Sequence, residues 1–182
     1  MKYISPQDGH DLDKAISFLV KNYSQTGKNP KPVISHSLRL AVYLLDYGYS
    51  LDLVITAILH DLIEDSDTTK EEISLSFGAK IADWVDALSF KTSIEDKEAR
   101  YKEMFDRIKL AGREALIIKC ADIYSNSFYI RLVDDIEKQS FLISKLKYFL
   151  DFSKELIQEE VVWRELAEQE LAESSRILAL KV

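Results

Sequence analysis

Ala57-Ile58-Leu59-His60-Asp61-Leu62-Ile63-Glu64-Asp65 is an apolar run interrupted twice by adjacent polar pairs. On a helix of 3.6 residues per turn, His60, Asp61, Glu64 and Asp65 fall within an arc of about 140°. Leu59, Ile63, Leu62 and Ile58 point largely elsewhere, toward a core. Three carboxylates and an imidazole on one face repel one another unless something positive sits between them. Neutral His with carboxylate suits zinc, manganese, iron and related divalent ions. For His60-Asp61 alone, a solvated polar face on an amphipathic helix is the plainer alternative. The flanking apolar residues and the second acidic pair weigh against it.

The bulk composition fits a metal site in an ordinary globular protein. The 182 residues are 47% hydrophobic and 30% charged, and are long enough for one domain with a substantial core. The formal net charge of −7 argues against a nucleic acid or an anionic membrane as main partner, although a small phosphorylated ligand can be met by a metal and local Lys or Arg. No apolar run reaches the roughly 18 residues of a membrane helix, and Met1 to Asp11 has no signal-peptide pattern. The single Cys120 cannot form an intramolecular disulfide, which suits a reducing cytoplasm, and after Ile117-Ile118-Lys119 it reads as a small buried hydrophobe.

Glycine and proline are sparse, absent from 113–182, and no segment alternates with period two, so the expected fold is all-α. The spacing predicts a helix over about 11–24, a loop from Gln25 to Val33, and a helix from about Ser35 to Tyr47 burying Leu38, Ala41, Val42 and Leu45. Ser50 can cap a helix that runs through the opening stretch to about Glu64. Thr69-Lys70-Glu71-Glu72 reads as a capping box for a short helix ended by Phe77-Gly78. A helix follows over Ala79 to Phe90, then a charged one capped by Ser93 over about Ile94 to Leu110, then one over Arg113 to about Ile130. Two more helices occupy about 134–179, with Phe141, Ile143, Leu146, Phe149, Leu150 and Leu156 among the residues facing the body. No internal repeat is present.

In chain order stand His36, then His60-Asp61 after 24 residues, then Asp122 after a further 61. Read singly, His36 is a polar residue near a helix start and Asp122 a local cap or ion-pair partner. Yet a carboxylate emerging from the run A-L-I-I-K-C-A needs a counter-charge or strong hydrogen bonds. Two His and two Asp on three helices suffice to chelate one divalent ion, with positions left for water and substrate. This pattern resembles the HD superfamily of metal-dependent phosphohydrolases. The resemblance implies a single-domain HD-type helical bundle over 1–182, with a motif-bearing core over about 8–135 and C-terminal helices over about 136–180. It also implies that His36, His60, Asp61 and Asp122 are the metal ligands.

The likeness narrows. A-I-L-H-D-L-I-E-D-S-D-T-T followed by F-G-A-K-I-A-D-W-V is similar to the hydrolase domain of Rel/Spo-type alarmone enzymes, which remove pyrophosphate from the 3′ position of ppGpp and pppGpp. Lys119-Cys120-Ala121-Asp122-Ile123-Tyr124-Ser125-Asn126 matches that family's K-x-A-D-(R/K)-x-x-N, and the length suits its small stand-alone hydrolases. The resemblance implies that Glu64 and Asp65 orient or deprotonate the attacking water, that Asn126 holds ribose or phosphate, and that Lys119 adds positive charge. Three positions depart. Ser24-Gln25-Thr26-Gly27 stands where the family has a base-stacking Arg, Ser37 replaces a Pro, and Ile123 replaces a basic residue. Lys28 and Lys31 are then the cations expected to meet the nucleotide. The expectation is a cytoplasmic enzyme using one divalent ion, manganese foremost, on a small phosphorylated nucleotide, with a homo-oligomer left open. The alternatives are another HD phosphatase, acting on a nucleoside phosphate or the 2′-phosphate of NADPH, and a non-catalytic nucleotide-binding regulator.

Overall fold

The computed structural model describes residues 4–23 and 32–180, the Lys97 side chain apart. It divides into two compact units, Met1–Ala115 and Leu116–Val182. Among the described residues all regular structure is helical.

The first unit holds α1 (Pro6–Asn22), α2 (Val33–Asp46), α3 (Leu51–Leu59), α4 (Leu62–Asp65), α5 (Lys70–Phe77), α6 (Ala79–Leu88) and α7 (Lys97–Ala111). Helix α3 packs against α1, α2 and α6. Leu53 to Leu59 are buried without a break, as expected of a helix that is apolar all round. Each Leu, Ile or Val so buried contributes about 1.5–3 kcal/mol. Ser50 caps this helix as expected, accepting from the Leu53 N–H. The capping box at Thr69 and Glu72 forms in both directions. Gly78, at φ 90, joins α5 to α6 with a backbone conformation that favours glycine.

Several boundaries differ from the sequence expectation. Helix α1 starts earlier, because Ser5 and Asp8 form a reciprocal cap and Pro6 takes the first turn. Asp96, not Ser93, caps α7, its carboxylate accepting from the Ala99 N–H at 2.7 Å. The helix expected to run on to Glu64 stops at Leu59, and His60-Asp61 lie on the break before α4. Helix α2 is rotated from the expected face. His36, Leu40 and Leu44 are buried at i, i+4 and i+8, whereas Val42 is 54% exposed. The apolar ring of α3 selects this side, and the rotation carries His36 inward.

Helix α8 (Arg113–Ser127) runs across the division between the units. Beyond it the second unit holds a 3-10 turn, Ile130–Leu132, then α9 (Ile136–Ile157) and α10 (Val161–Leu180), which pack together as a hairpin. Ile143, Leu146, Phe149 and Leu150 are buried, but Phe141 and Leu156, also expected to face the body, are exposed. In this unit the buried Glu173 accepts from Arg131 at 2.6 Å and from Arg176 at 2.8 Å, and Arg176 also donates to Gln139 Oε1. No helix among the described residues is long and apolar enough to cross a membrane.

Candidate metal centre

His36 enters from the first turn of α2, and its ring is buried against that of His60, with centroids 5.4 Å apart and planes inclined at 59°. His60 is the C-cap of α3, and the Ala57 carbonyl lies in the last turn of that helix, where carbonyls meet side-chain donors. That carbonyl lies 2.8 Å from His60 Nδ1. A carbonyl only accepts, so Nδ1 carries a proton, and in the neutral form of such a ring Nε2 presents its lone pair. Nε2 lies 3.1 Å from Oδ1 of Asp61. Asp61 sits at φ −95, ψ −3, in the sparsely populated bridge region frequented by active-site residues.

Two acceptor atoms at that distance, one of them on a ring only 3% exposed, repel unless a cation lies beside them. A proton on Nε2 would meet this need only as a buried imidazolium. A divalent ion meets it with both atoms as ligands, and imidazole nitrogen with carboxylate oxygen is a donor set such ions accept. The residues present therefore fit the metal implied by the sequence. Such second-contact bonding of Nδ1 to a carbonyl also fixes the ring's orientation and raises the basicity of the ligating nitrogen.

The acidic pair that follows is placed differently. Glu64 is exposed, and its Oε2 accepts from the Phe90 N–H at 3.3 Å. Asp65 is half-buried, and its N–H donates to the Asp61 carbonyl at 2.8 Å.

In the second unit, Asp122 is buried on α8 amid Cys120 and Ala121. Its Oδ2 pairs with Lys119 Nζ at 2.9 Å and its Oδ1 accepts from Asn126 Nδ2 at 2.6 Å. Lys119 and Asn126, expected at the substrate, thus both hold Asp122, from one turn on either side. Cys120 is fully buried, and burial pushes its thiol well above the usual range. It is a hydrophobe here, as expected. Lys28 and Lys31 lie outside the described residues.

Among the described residues, His36, His60 and Asp122 are buried donors suited to holding a metal ion. The HD domain family model matches residues 15–123, a span that takes in His36, His60, Asp61 and Asp122. The chain belongs to the HD domain family.

This HD domain is also similar to curated proteins named guanosine-3′,5′-bis(diphosphate) 3′-pyrophosphohydrolase. The one from Aquifex aeolicus is 31% identical over 125 residues, covering 66% of this chain and 18% of the relative. That from Vibrio cholerae is 30% identical over 125 residues, covering 66% of this chain and 16% of the relative. The chain thus spans less than a fifth of the length of these relatives. Among solved structures, a metazoan ortholog of SpoT, described as hydrolysing ppGpp, superposes with a TM-score of 0.75 at 19% identity. That likeness covers 93% of this chain and 96% of the other, and bears out the all-helical HD fold.

Three contacts escaped the sequence reading: the Ala57 carbonyl, the Phe90 N–H, and the double grip on Asp122. The last was within reach, because Lys119 and Asn126 stand at i−3 and i+4 from Asp122, the spacings at which helix side chains meet. The Ala57 carbonyl required knowing that α3 ends at Leu59. The Phe90 contact spans 26 residues and has no local signal.

Proposed function

We propose that this HD domain is a metal-dependent phosphohydrolase that removes the 3′-pyrophosphate of ppGpp or a similar nucleotide. The observation that carries the reading is the His60 ring, held at Nδ1 by the Ala57 carbonyl, with Nε2 turned to Asp61 Oδ1 at 3.1 Å. His36, His60, Asp61 and Asp122 are the proposed ligands of one divalent ion, Mn²⁺ foremost. The activity named for the Aquifex aeolicus and Vibrio cholerae relatives, and for the metazoan SpoT ortholog, supports the choice of reaction. The structural likeness over 93% of the chain supports treating residues 1–182 as one such domain.

A bound divalent ion supplies Lewis acidity, which brings the pKa of water toward neutrality. The carboxylates of Glu64 and Asp65 orient the attacking water and take its proton as its oxygen attacks phosphorus. The bond from phosphorus to the 3′ oxygen breaks, pyrophosphate departs, and the 3′ oxygen takes up a proton. Lys119 and Asn126 hold the Asp122 carboxylate in place. Lys28 and Lys31 are the proposed cations for the substrate phosphates, acting as point charges where an Arg would also stack on the base. A cytoplasmic setting accords with the lone buried thiol and a nucleotide substrate.

The test is turnover of ppGpp by the Mn²⁺-loaded protein, with released pyrophosphate measured beside parallel reactions on nucleoside phosphates and NADPH. Pyrophosphate release that is lost with EDTA and restored by Mn²⁺ is the expected result. Phosphate release from NADPH or a nucleoside phosphate, with ppGpp left intact, would favour another HD phosphatase.

A further inference from the structure

The carboxylate of Glu64 accepts a hydrogen bond from a backbone N–H that is held in place from another helix. Phe90 follows the end of α6, in a segment with no regular structure of its own. Helix α7 grips this segment at successive residues. The Arg107 guanidinium donates to the carbonyl of Asp86 and, at 2.6 Å, to that of Ser89. Both carbonyls lie at the C-terminal end of α6, where that of Asp86 also accepts from the Ser89 N–H at 3.3 Å. The Tyr101 ring meets the Phe90 ring edge-on with centroids 4.8 Å apart. Glu103 accepts from Lys91 Nζ at 2.6 Å and from Arg107 Nε and Nη2 at 3.1 and 3.0 Å. Those hydrogen bonds from Arg107 lead the influences that keep the Glu103 carboxyl below its usual range, and Lys91 adds to them.

The Ser89–Phe90 peptide is therefore fixed through its carbonyl by Arg107, and its N–H is aimed at Glu64 as a consequence of peptide planarity. Glu64 is exposed and has three rotatable side-chain bonds, so a fixed N–H partner narrows the directions its carboxylate takes.

We propose that Arg107 is a positioning residue for Glu64, acting through the Ser89–Phe90 peptide. This rests on the reading of Glu64 as a group that handles the attacking water. The described contacts of Arg107 are to Asp86, Ser89 and Glu103, so its proposed effect on Glu64 runs through the peptide. A small loss of alignment in a proton-transfer geometry costs one to two orders of magnitude in rate.

The experiment is a double-mutant cycle of Arg107→Ala and Glu64→Gln in the Mn²⁺-loaded full chain, with Arg107→Lys as the conservative variant. Arg107→Ala should lower kcat for ppGpp about 10- to 100-fold with KM and metal content unchanged. In the Glu64→Gln background the same substitution should change kcat less than about 2-fold, because two residues acting through one contact are not additive. Arg107→Lys, which keeps one donor, should recover part of the rate. Equal losses in both backgrounds would overturn the proposal, as would an unchanged kcat.

Amide hydrogen exchange at Phe90 supplies a readout independent of turnover. Arg107→Ala should expose that amide to exchange more than Glu64→Gln does, while amides of α3 keep their protection. Protection at Phe90 equal to wild type would sink the proposal even in an active enzyme. If the wild type lacks hydrolase activity, the assignment of function fails, and the exchange result still decides whether Arg107 sets the Phe90 N–H.

Discussion

Nε2 of His60 stands 3.1 Å from Oδ1 of Asp61 while the opposite nitrogen of the ring is engaged by the Ala57 carbonyl. The α3–α4 break makes this possible, because in a continuous helix adjacent side chains diverge by about 100°.

Metal binding should therefore be a stability term that Asp61 controls. At a metal concentration about 100-fold above Kd, the wild type gains about 2.7 kcal/mol, or roughly 5–10 °C in Tm for a chain of this size. EDTA should remove that increment. Asp61→Ala should show little difference between metal-loaded and chelated samples and should carry less than one equivalent of metal by elemental analysis. A full equivalent with an unchanged response to EDTA would remove Asp61 from the ligand set.

Glu64→Gln separates chemistry from binding. The amide oxygen of Gln can still accept from the Phe90 N–H, so the local structure survives, but the group no longer takes a proton. Turnover should fall by roughly 10²–10⁴ with metal content unchanged. Loss of the metal instead would make Glu64 a ligand, and an unchanged rate would reduce Glu64-Asp65 to a helix terminus.

The contacts of Lys119 and Asn126 with Asp122 turn a substrate question into a metal question. Asn126→Ala and Lys119→Met should each weaken metal affinity by about 10–100-fold, the range for partners that orient a ligating side chain. At saturating metal the KM for nucleotide should then be close to wild type. A raised KM with unchanged metal affinity would instead make these residues substrate contacts.

In the second unit, Glu173 carries a pH dependence. Burial alone would raise its carboxyl pKa, but the hydrogen bonds and charges of Arg131 and Arg176 outweigh that and hold it below the usual range. A carboxyl depressed in the folded state binds fewer protons there than in the unfolded chain, so its contribution is fully present above the ordinary Glu range. It is lost as pH falls through the depressed folded value. Glu173→Gln should cost roughly 1.5–3 kcal/mol at neutral pH, the scale of hydrogen bonds to charged groups. Urea unfolding of both proteins from pH 7 down into the acid range should show the gap narrowing only below the ordinary Glu range. A constant gap would mean that the pair contributes no charge-dependent stability.

The features legible in the amino-acid sequence are those settled within about four residues along the chain. The all-helical class, the caps at Ser50 and Thr69, the stop at Phe77-Gly78 and the donor types His36, His60-Asp61 and Asp122 depend on helix hydrogen bonds, side-chain caps and residue chemistry. These are short-range properties, and the HD family match over 15–123 agrees with them. The face that α2 turns inward depended instead on α3 being apolar on every side, so that burial of Leu40 and Leu44 carried His36 in with them. The end of α3 at Leu59, beside which His60 meets the Ala57 carbonyl, likewise came from packing rather than propensity, since nothing in Ile58-Leu59-His60-Asp61-Leu62 breaks a helix by itself. The reach of Arg107 to Ser89, and of Phe90 to Glu64, joins residues 18 and 26 apart. Contacts of that separation are set by how helices pack, and only the tertiary structure could decide them.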